Sequence, residues 1–213
     1  MTTASNNYTH LLQEIEEHCK KCGRAPGSVE LIAVTKNHLW EEIEPLYQAG
    51  CRVFGESRVQ EALPKIENAP EDIEWHFIGR LQVNKVSKVV GKFTLIHSVD
   101  SEKLARKLDE VSKEKGCVTS ILIQVNTSGE ESKAGVSLEE LEALIQVVKT
   151  MPNIEFKGFM TMAPLTENEA EIRETFRRVP RAEILSMGMS QDWKIALEEG
   201  ATHLRIGRSL FSG

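Results

Sequence analysis

Hydrophobic residues near the start of the chain recur at the spacing of an amphipathic helix. Along residues 6–22 they fall mostly three or four positions apart, on one helix face: Tyr8, Leu11, Leu12, Ile15 and Cys19. Gly23 and Pro26 follow and predict where this helix ends. The pattern therefore predicts an N-terminal helix over residues 6–22.

Beyond this helix, short apolar runs typical of β-strands alternate with helical stretches up to the C-terminus. Strands are predicted at residues 31–34, 52–54, 75–78, 93–96, 120–125, 154–159, 184–187 and 203–206. Helices are predicted between them at residues 41–48, 58–66, 84–90, 101–115, 137–150, 167–178 and 192–199. Ser101 and Ser137 supply N-caps for two of these helices.

This alternation, without a linker or a shift in composition, predicts an α/β protein with a single (β/α)8 TIM barrel and an additional N-terminal helix. The chain is expected to form a single domain over residues 1–213. An open doubly wound sheet is the alternative. A barrel carries its active site at the carboxyl ends of its strands, so candidate residues are sought there.

The first strand ends in the run LIAVTK, which places Lys36 at the barrel mouth. A lysine amine beside apolar walls can attack a carbonyl group and form a Schiff base. The alternative is an exposed loop lysine without a special role. The prediction therefore rests on the position of Lys36 at the end of a strand, and not on its residue type.

The turns after the last two strands are rich in glycine and hydrogen-bonding groups. One reads SMGMS from Ser186 to Ser190, and the other reads RIGRS from Arg205 to Ser209. These turns of a barrel commonly bind phosphate, although glycine can simply permit a tight turn. With Lys36 they predict a phosphorylated carbonyl ligand: a pyridoxal 5'-phosphate (PLP) protein, or a class I aldolase acting on a sugar phosphate.

Other strand ends carry weaker signals. The turns GESR, GRLQVNK and NTSG follow the second, third and fifth strands and offer polar groups. His76 and His97 also lie at or near strand ends. Both are interpreted equally well as packed structural histidines or as catalytic ones.

Composition narrows the class of protein. In 213 residues, 32 Asp and Glu outnumber 26 Lys and Arg, giving a formal net charge of -6, which argues against a nucleic-acid partner. The polar N-terminus and the lack of long apolar runs predict no membrane segment. The protein is expected to be cytoplasmic and monomeric.

Cys19 and Cys22 form a Cys-x-x-Cys pair beside His18. A structural zinc site needs four ligands, and no second pair follows downstream. The four cysteines are therefore interpreted as thiols of a reduced cytosolic protein, and no metal is predicted.

Seven motifs in order carry a family likeness: LIAVTK, VFGESRVQEA, WHFIGRLQVNK, VNTSGEESKAGV, GFMTMAP, LSMGMSQDW and EEGATHLRIGRSLF. Together they make the chain resemble the pyridoxal phosphate homeostasis protein family over about residues 29–211. That family is similar to the N-terminal barrel of alanine racemase and to fold-type III PLP proteins.

The resemblance implies a set of residues around PLP. Lys36 would hold the cofactor as a Schiff base, and Arg205 would face the pyridine nitrogen. The phosphate would lie among Ser186, Ser190, Gly207 and Arg208. Ser57, His76 and Ile78 would lie around the ring.

The resemblance also implies a PLP carrier or regulator of vitamin B6 and amino-acid balance, without established turnover. A charged Arg205 beside the ring nitrogen weakens PLP as an electron sink. From a sequence that ends at Gly213, the C-terminal domain of the racemases is also expected to be lacking. PLP-dependent apo-enzymes are the expected partners. The alternatives are a PLP-dependent amino-acid racemase and an interaction regulator for which PLP is a conformational signal.

Overall fold

Eight parallel strands close into a barrel in which each strand pairs with the next in the chain and the last pairs with the first. A computed structural model of the chain describes residues 2–127 and 134–212. The strands are β1 Glu30–Val34, β2 Val53–Glu56, β3 Glu74–Phe77, β4 Leu95–Val99, β5 Thr119–Gln124, β6 Ile154–Met160, β7 Ile184–Ser186 and β8 His203–Ile206. The predicted (β/α)8 barrel is therefore confirmed, and the open sheet is excluded.

Helices follow the strands and surround the barrel. They are α1 Thr3–Lys21, α2 Trp40–Gln48, α3 Val59–Asn68, α4 Val86–Val89, α5 Glu102–Lys115, α6 Leu138–Lys149, α7 Glu169–Arg177, α8 Trp193–Glu198 and α9 Arg208–Phe211. No helix within residues 2–127 and 134–212 combines the length and apolar character needed to cross a bilayer.

The additional N-terminal helix α1 is confirmed and packs against α2, α8 and α9. It buries the predicted stripe through Tyr8, Leu11, Ile15 and Cys19. It begins three residues before the predicted start because the Thr2 hydroxyl accepts a hydrogen bond from the Ser5 amide and caps the first turn.

The fourth βα unit differs from the prediction. The helix expected at residues 84–90 is a 3-10 turn at Val83–Lys85 followed by the single turn α4. Closely spaced valines restrict side-chain rotamers in a helix, and Gly91 ends the turn with a φ of 77°. β2 and β4 also begin and end later than predicted, which is the usual error at element boundaries.

Two apolar clusters form on opposite faces of the sheet. The large one lies between the strands and the helices, whereas Leu95, Leu122 and Met160 form a small separate cluster. Successive residues of a strand face opposite sides, so His97 shares the inward face with Leu95. Polar side chains therefore occupy the barrel interior beside this small cluster, beneath the carboxyl ends of the strands.

Candidate functional site

A cavity of about 400 Å³ opens at the carboxyl ends of the strands. Its walls bring together seven of the residues predicted from the sequence: Lys36, Ser57, Ile78, Ser190, Arg205, Gly207 and Arg208. They come from the ends of β1, β2, β3, β7 and β8 or the turns that follow. This is the position at which a barrel builds its active site.

A larger groove of about 740 Å³ lies between α2 and α3. Its lining includes Leu39, Trp40, Pro64 and Asn68, and none of the predicted site residues. We assign the functional site to the smaller cavity because the amine and the guanidinium groups converge there.

The cavity also contains residues that the sequence analysis did not select. They are Val34, Gly79, Arg80, Gln124, Ala134, Met160, Met162 and Met189. Arg80 lies in the turn after β3, whose polar character was recognised without a role for this side chain. The three methionines form a polarizable apolar wall and carried no sequence signal of their own.

The charge of the cavity wall is entirely positive among the described residues. Among the described residues, its ionisable side chains are Lys36, Arg80, Arg205 and Arg208, and none of these residues carries a carboxylate, imidazole, thiol or phenol. Such a wall suits an anionic ligand with planar or tetrahedral oxygens. Its described part also supplies a single amine, without a carboxylate or imidazole to serve as a second acid/base group.

Arg205 lies on the cavity floor with only 5% of its surface exposed. Burial lowers its pKa to about 10, and the nearby carboxylate of Asp192 opposes this shift. The guanidinium therefore stays charged at neutral pH. It donates from Nη1 to Ser186 Oγ at 2.6 Å and from Nη2 to the Thr161 carbonyl at 2.9 Å.

A buried chain of hydrogen bonds continues from Arg205 across the barrel interior. Ser186 Oγ lies 2.9 Å from His97 Nδ1, and His97 Nε2 lies 3.1 Å from His76 Nδ1. Ser186 Oγ accepts from Arg205 and has one proton of its own to donate. In the tautomer in which the hydroxyl donates to His97 Nδ1, a neutral His97 carries its proton on Nε2 and donates it to His76.

The histidines of the barrel interior are neutral at physiological pH. Desolvation, followed by the charge of His203, lowers the pKa of His76 to about 3. Desolvation also lowers the pKa of His97 well below its usual value and the pKa of His203 to about 4. The rings of His76 and His203 stack with centroids 6.1 Å apart.

Two predicted residues, Ser186 and His76, do not line the cavity. Ser186 is the last residue of β7, is fully buried, and is bonded to Arg205 and His97. The sequence placed it beside Ser190 at the phosphate, but the alternation of side chains directs it into the barrel interior. His76 is likewise buried beneath the cavity. The fifth-strand turn was a further candidate, and its Ser128 and Gly129 lie outside the described residues.

The turn between β7 and α8 requires glycine. Gly188 has a φ of 97°, and a Cβ there would lie 2.7 Å from the Cβ of Ala196. Asp192 Oδ1 accepts from the Met189 amide at 2.5 Å, and the Arg205 amide donates to the Gly188 carbonyl at 2.9 Å. The turn is therefore fixed to both α8 and β8.

The turn after β8 contacts the turn after β7 and lies close to the end of β1. Ser209 Oγ donates to Ser190 Oγ at 3.3 Å and connects the two predicted phosphate turns. A Cβ on Gly207 would lie 3.2 Å from the carbonyl oxygen of Val34. Because Gly207 has no side chain, this turn can approach the end of β1. The turn that contains Lys36 begins there.

The residue before Lys36 is anchored by a buried ion pair that sequence reasoning missed. Thr35 Oγ1 donates to Glu56 Oε1 at 2.6 Å, and Lys65 Nζ donates to the same oxygen at 2.6 Å and to the Thr35 carbonyl at 2.8 Å. Lys36 itself is exposed to the cavity. A fixed backbone therefore presents the Lys36 amine to the cavity.

Comparison with known proteins identifies the family to which the chain belongs. Residues 10–213 match the family model of the alanine racemase N-terminal domain. The chain is 40% identical to the pyridoxal phosphate homeostasis protein of Aquifex aeolicus, over 98% of this chain and 97% of that protein. It is 34% identical to the Escherichia coli protein of the same name, over 99% and 97%.

Solved structures show the same barrel. PipY of Synechococcus elongatus PCC7942, solved with PLP bound, has a TM-score of 0.81 and 38% identity over 93% of this chain and 100% of that chain. Alanine racemase of Corynebacterium glutamicum has a TM-score of 0.73 at 14% identity, over 98% of this chain and 61% of that chain, so it shares the fold. The family resemblance seen in the sequence is thereby confirmed: the chain belongs to the pyridoxal phosphate homeostasis protein family, within the larger family of the alanine racemase N-terminal domain.

Proposed function

We propose that this protein binds PLP in the cavity at the strand ends, holds it through Lys36, and buffers or delivers it in the cell. The observation that carries this proposal is the cavity wall, where a single amine faces three guanidinium groups and an apolar lining among the described residues. The family supports it, since relatives are named pyridoxal phosphate homeostasis proteins and PipY was solved with PLP.

The cavity residues fit the parts of PLP. Ser190, Gly207 and Arg208 would hold the phosphate, because they supply a hydroxyl, a close backbone and a cation. Ile78 and Met160 would contact the ring through apolar surface. Ser57 would lie at the edge of the ring.

Arg205 would face the pyridine nitrogen. A guanidinium has donors and no acceptor, so it can donate to that nitrogen but cannot accept a proton from it. Ser186, His97 and His76 would act through Arg205, because they hold its guanidinium and do not reach the cavity. When bound, PLP supplies an electrophilic carbonyl and a conjugated ring.

The proposed role does not include catalytic turnover. Racemisation removes a proton from one face of a substrate carbon and returns one to the other face, which requires two acid/base groups. The described cavity wall offers Lys36 alone. The two tyrosines lie elsewhere: Tyr8 is buried on α1, and Tyr47 on α2 donates to Asp72 at 2.9 Å.

The same proposal extends to partners and location. PLP-dependent apo-enzymes would receive the cofactor from a monomer in which residues 1–213 form one PLP-binding unit. A cytoplasmic location agrees with the four unpaired thiols, which suit a reducing compartment.

A transfer experiment tests the function. The PLP-loaded protein is mixed with an apo-aminotransferase, and recovery of enzyme activity is followed. We expect transfer from the wild-type protein and from Lys92→Ala, an exposed lysine outside the cavity, but not from Lys36→Ala, which cannot be loaded. Failure of the loaded wild-type protein to release PLP to the apo-enzyme contradicts the delivery role. Loss of optical rotation from single-enantiomer amino acids would contradict the absence of turnover.

A further inference from the structure

Three metal-binding side chains meet on the outside of the barrel, where α1 ends against α8. His18 and Cys22 come from the end of α1, and Glu198 is the last residue of α8. One ligand atom from each residue, a ring nitrogen, a thiol sulfur and a carboxylate oxygen, lies within 4.8 Å of the other two. His18 Nε2 is 2.9 Å from Glu198 Oε1.

The backbone fixes this arrangement. His18 and Cys22 are four positions apart at the end of a helix, so they share one face. Arg24 lies just beyond and donates from Nη1 to the carbonyls of Leu197 at 2.9 Å and Ala201 at 2.7 Å. These bonds hold the segment after α1 on the end of α8, and they keep Cys22 beside Glu198.

The carboxylate of the cluster is held by an ion pair. Arg173 from α7 pairs with Glu198 Oε2 at 2.5 Å, which leaves Oε1 directed toward His18. Arg173 thus orients Glu198 as outer partners commonly orient metal ligands.

We propose that His18, Cys22 and Glu198 form a binding site for Zn²⁺, with water completing a four-coordinate shell. A mixed nitrogen, sulfur and oxygen donor set suits zinc, whereas Ca²⁺ and Mg²⁺ take oxygen ligands. Zinc bond lengths of about 2.0–2.3 Å bring ligand atoms to within roughly 4 Å of one another. The three ligand atoms, which lie within 4.8 Å of one another, would reach these distances through small rotations of their partly exposed side chains. The thiol releases its proton to solvent, and His18 binds as the neutral ring.

This site differs from the one that the Cys-x-x-Cys spacing suggests. Cys19 is only 1% exposed and packs in the core, so it does not join Cys22. The third ligand instead comes from Glu198, 180 positions after His18. None of the three ligands lines the PLP cavity. Zinc would therefore connect the end of α1 to α8 outside the cofactor site, through three protein ligands and water and not through the four protein ligands of a closed structural site.

Cobalt substitution tests the proposal on the reduced full-length protein. Co²⁺ reports thiolate coordination through a near-ultraviolet charge-transfer band, and competition with Zn²⁺ gives the zinc affinity. We expect one Co²⁺ per chain, with this band, and a higher melting temperature with Zn²⁺. Cys22→Ser should abolish the band, and His18→Gln should weaken zinc binding by more than the roughly 10- to 100-fold loss typical of outer-partner changes.

Matched variants decide the assignment. Cys117→Ser and His10→Gln alter the same residue types outside the cluster and should retain wild-type metal binding. Wild-type protein without a thiolate band overturns the proposal, as does a band that persists in Cys22→Ser or disappears in Cys117→Ser. Circular dichroism and PLP absorption verify that each variant is folded.

Discussion

Arg205 and Ser186 form a 2.6 Å hydrogen bond that joins the floor of the cavity to the buried histidines of the barrel interior. Each residue was expected to contact the cofactor directly, but only Arg205 reaches the cavity. Ser186 Oγ is instead hydrogen-bonded to both Arg205 and His97. The position of the charged group thus depends on a hydroxyl that is itself fully buried.

Ser186→Ala should lower the free energy of unfolding by about 1–3 kcal/mol, because it leaves buried polar groups on Arg205 and His97 without partners. PLP affinity should fall with it, since Arg205 loses an anchor. Urea denaturation and PLP titration measure the two effects.

Ser98→Ala is the matched control. Ser98 is 1% exposed, and its Oγ has no hydrogen-bond partner within the described part of the chain. Its removal should change stability far less than Ser186→Ala. Equal losses in the two variants would contradict the role given to the Ser186 hydroxyl.

Acid should destabilise the protein because its buried histidines resist protonation in the folded state. The pKa of His76 is about 3 and that of His203 about 4 in the folded chain, against roughly 6.5 when unfolded. The unfolded chain therefore takes up protons first as the pH falls below about 6.5. The free energy of unfolding should therefore fall progressively from about pH 6.5 toward pH 3–4. At pH 5 the loss should be on the order of 2 kcal/mol per buried histidine.

Denaturation midpoints between pH 7 and pH 5 measure this loss. His203→Gln should flatten the dependence because one buried titrating group is removed. His10→Gln should leave the slope unchanged, since His10 is exposed on α1. A wild-type stability that stays constant over this range would disprove the explanation.

The sequence predicts the barrel and most of the cavity for clear physical reasons. The alternation of apolar runs and helical stretches determines the βα repeat, and the carboxyl ends of parallel strands meet at one mouth. Lys36, Arg205 and Gly207 could therefore be placed together from their positions alone. These strand ends lie at the same end of the barrel whatever the exact register of the strands.

Contacts across the barrel could not be predicted in the same way. The bond between His97 on β4 and Ser186 on β7 depends on how the strands tilt around the interior. Lys65 resembles a surface lysine of an amphipathic helix, yet it is 6% exposed and pairs with Glu56. Neither contact has a signature in local spacing.

Lys65→Met should destabilise the protein by about 3–5 kcal/mol. The change leaves Glu56 as a buried charge without its cation, and the second carboxylate oxygen of Glu56 already lacks a hydrogen-bond partner in the described chain. Combining it with Glu56→Gln removes the buried charge and keeps an acceptor for Thr35. The double variant should recover part of the loss in a urea denaturation series.

Lys107→Met provides the surface comparison. Lys107 pairs with Glu110 at 2.8 Å on an exposed face, and its loss should cost at most about 1 kcal/mol. If Lys65→Met costs no more than Lys107→Met, the buried pair does not anchor the strand before Lys36.

Reductive trapping tests the central assignment most directly. The protein is saturated with PLP, reduced with borohydride and digested, and the modified peptide is identified by mass spectrometry. We predict one modified residue, Lys36, in wild-type protein and in Lys92→Ala, and no modification at the cavity in Lys36→Ala. Modification spread over surface lysines, or at another residue and unchanged in Lys36→Ala, would contradict the assignment of Lys36 as the residue that holds PLP.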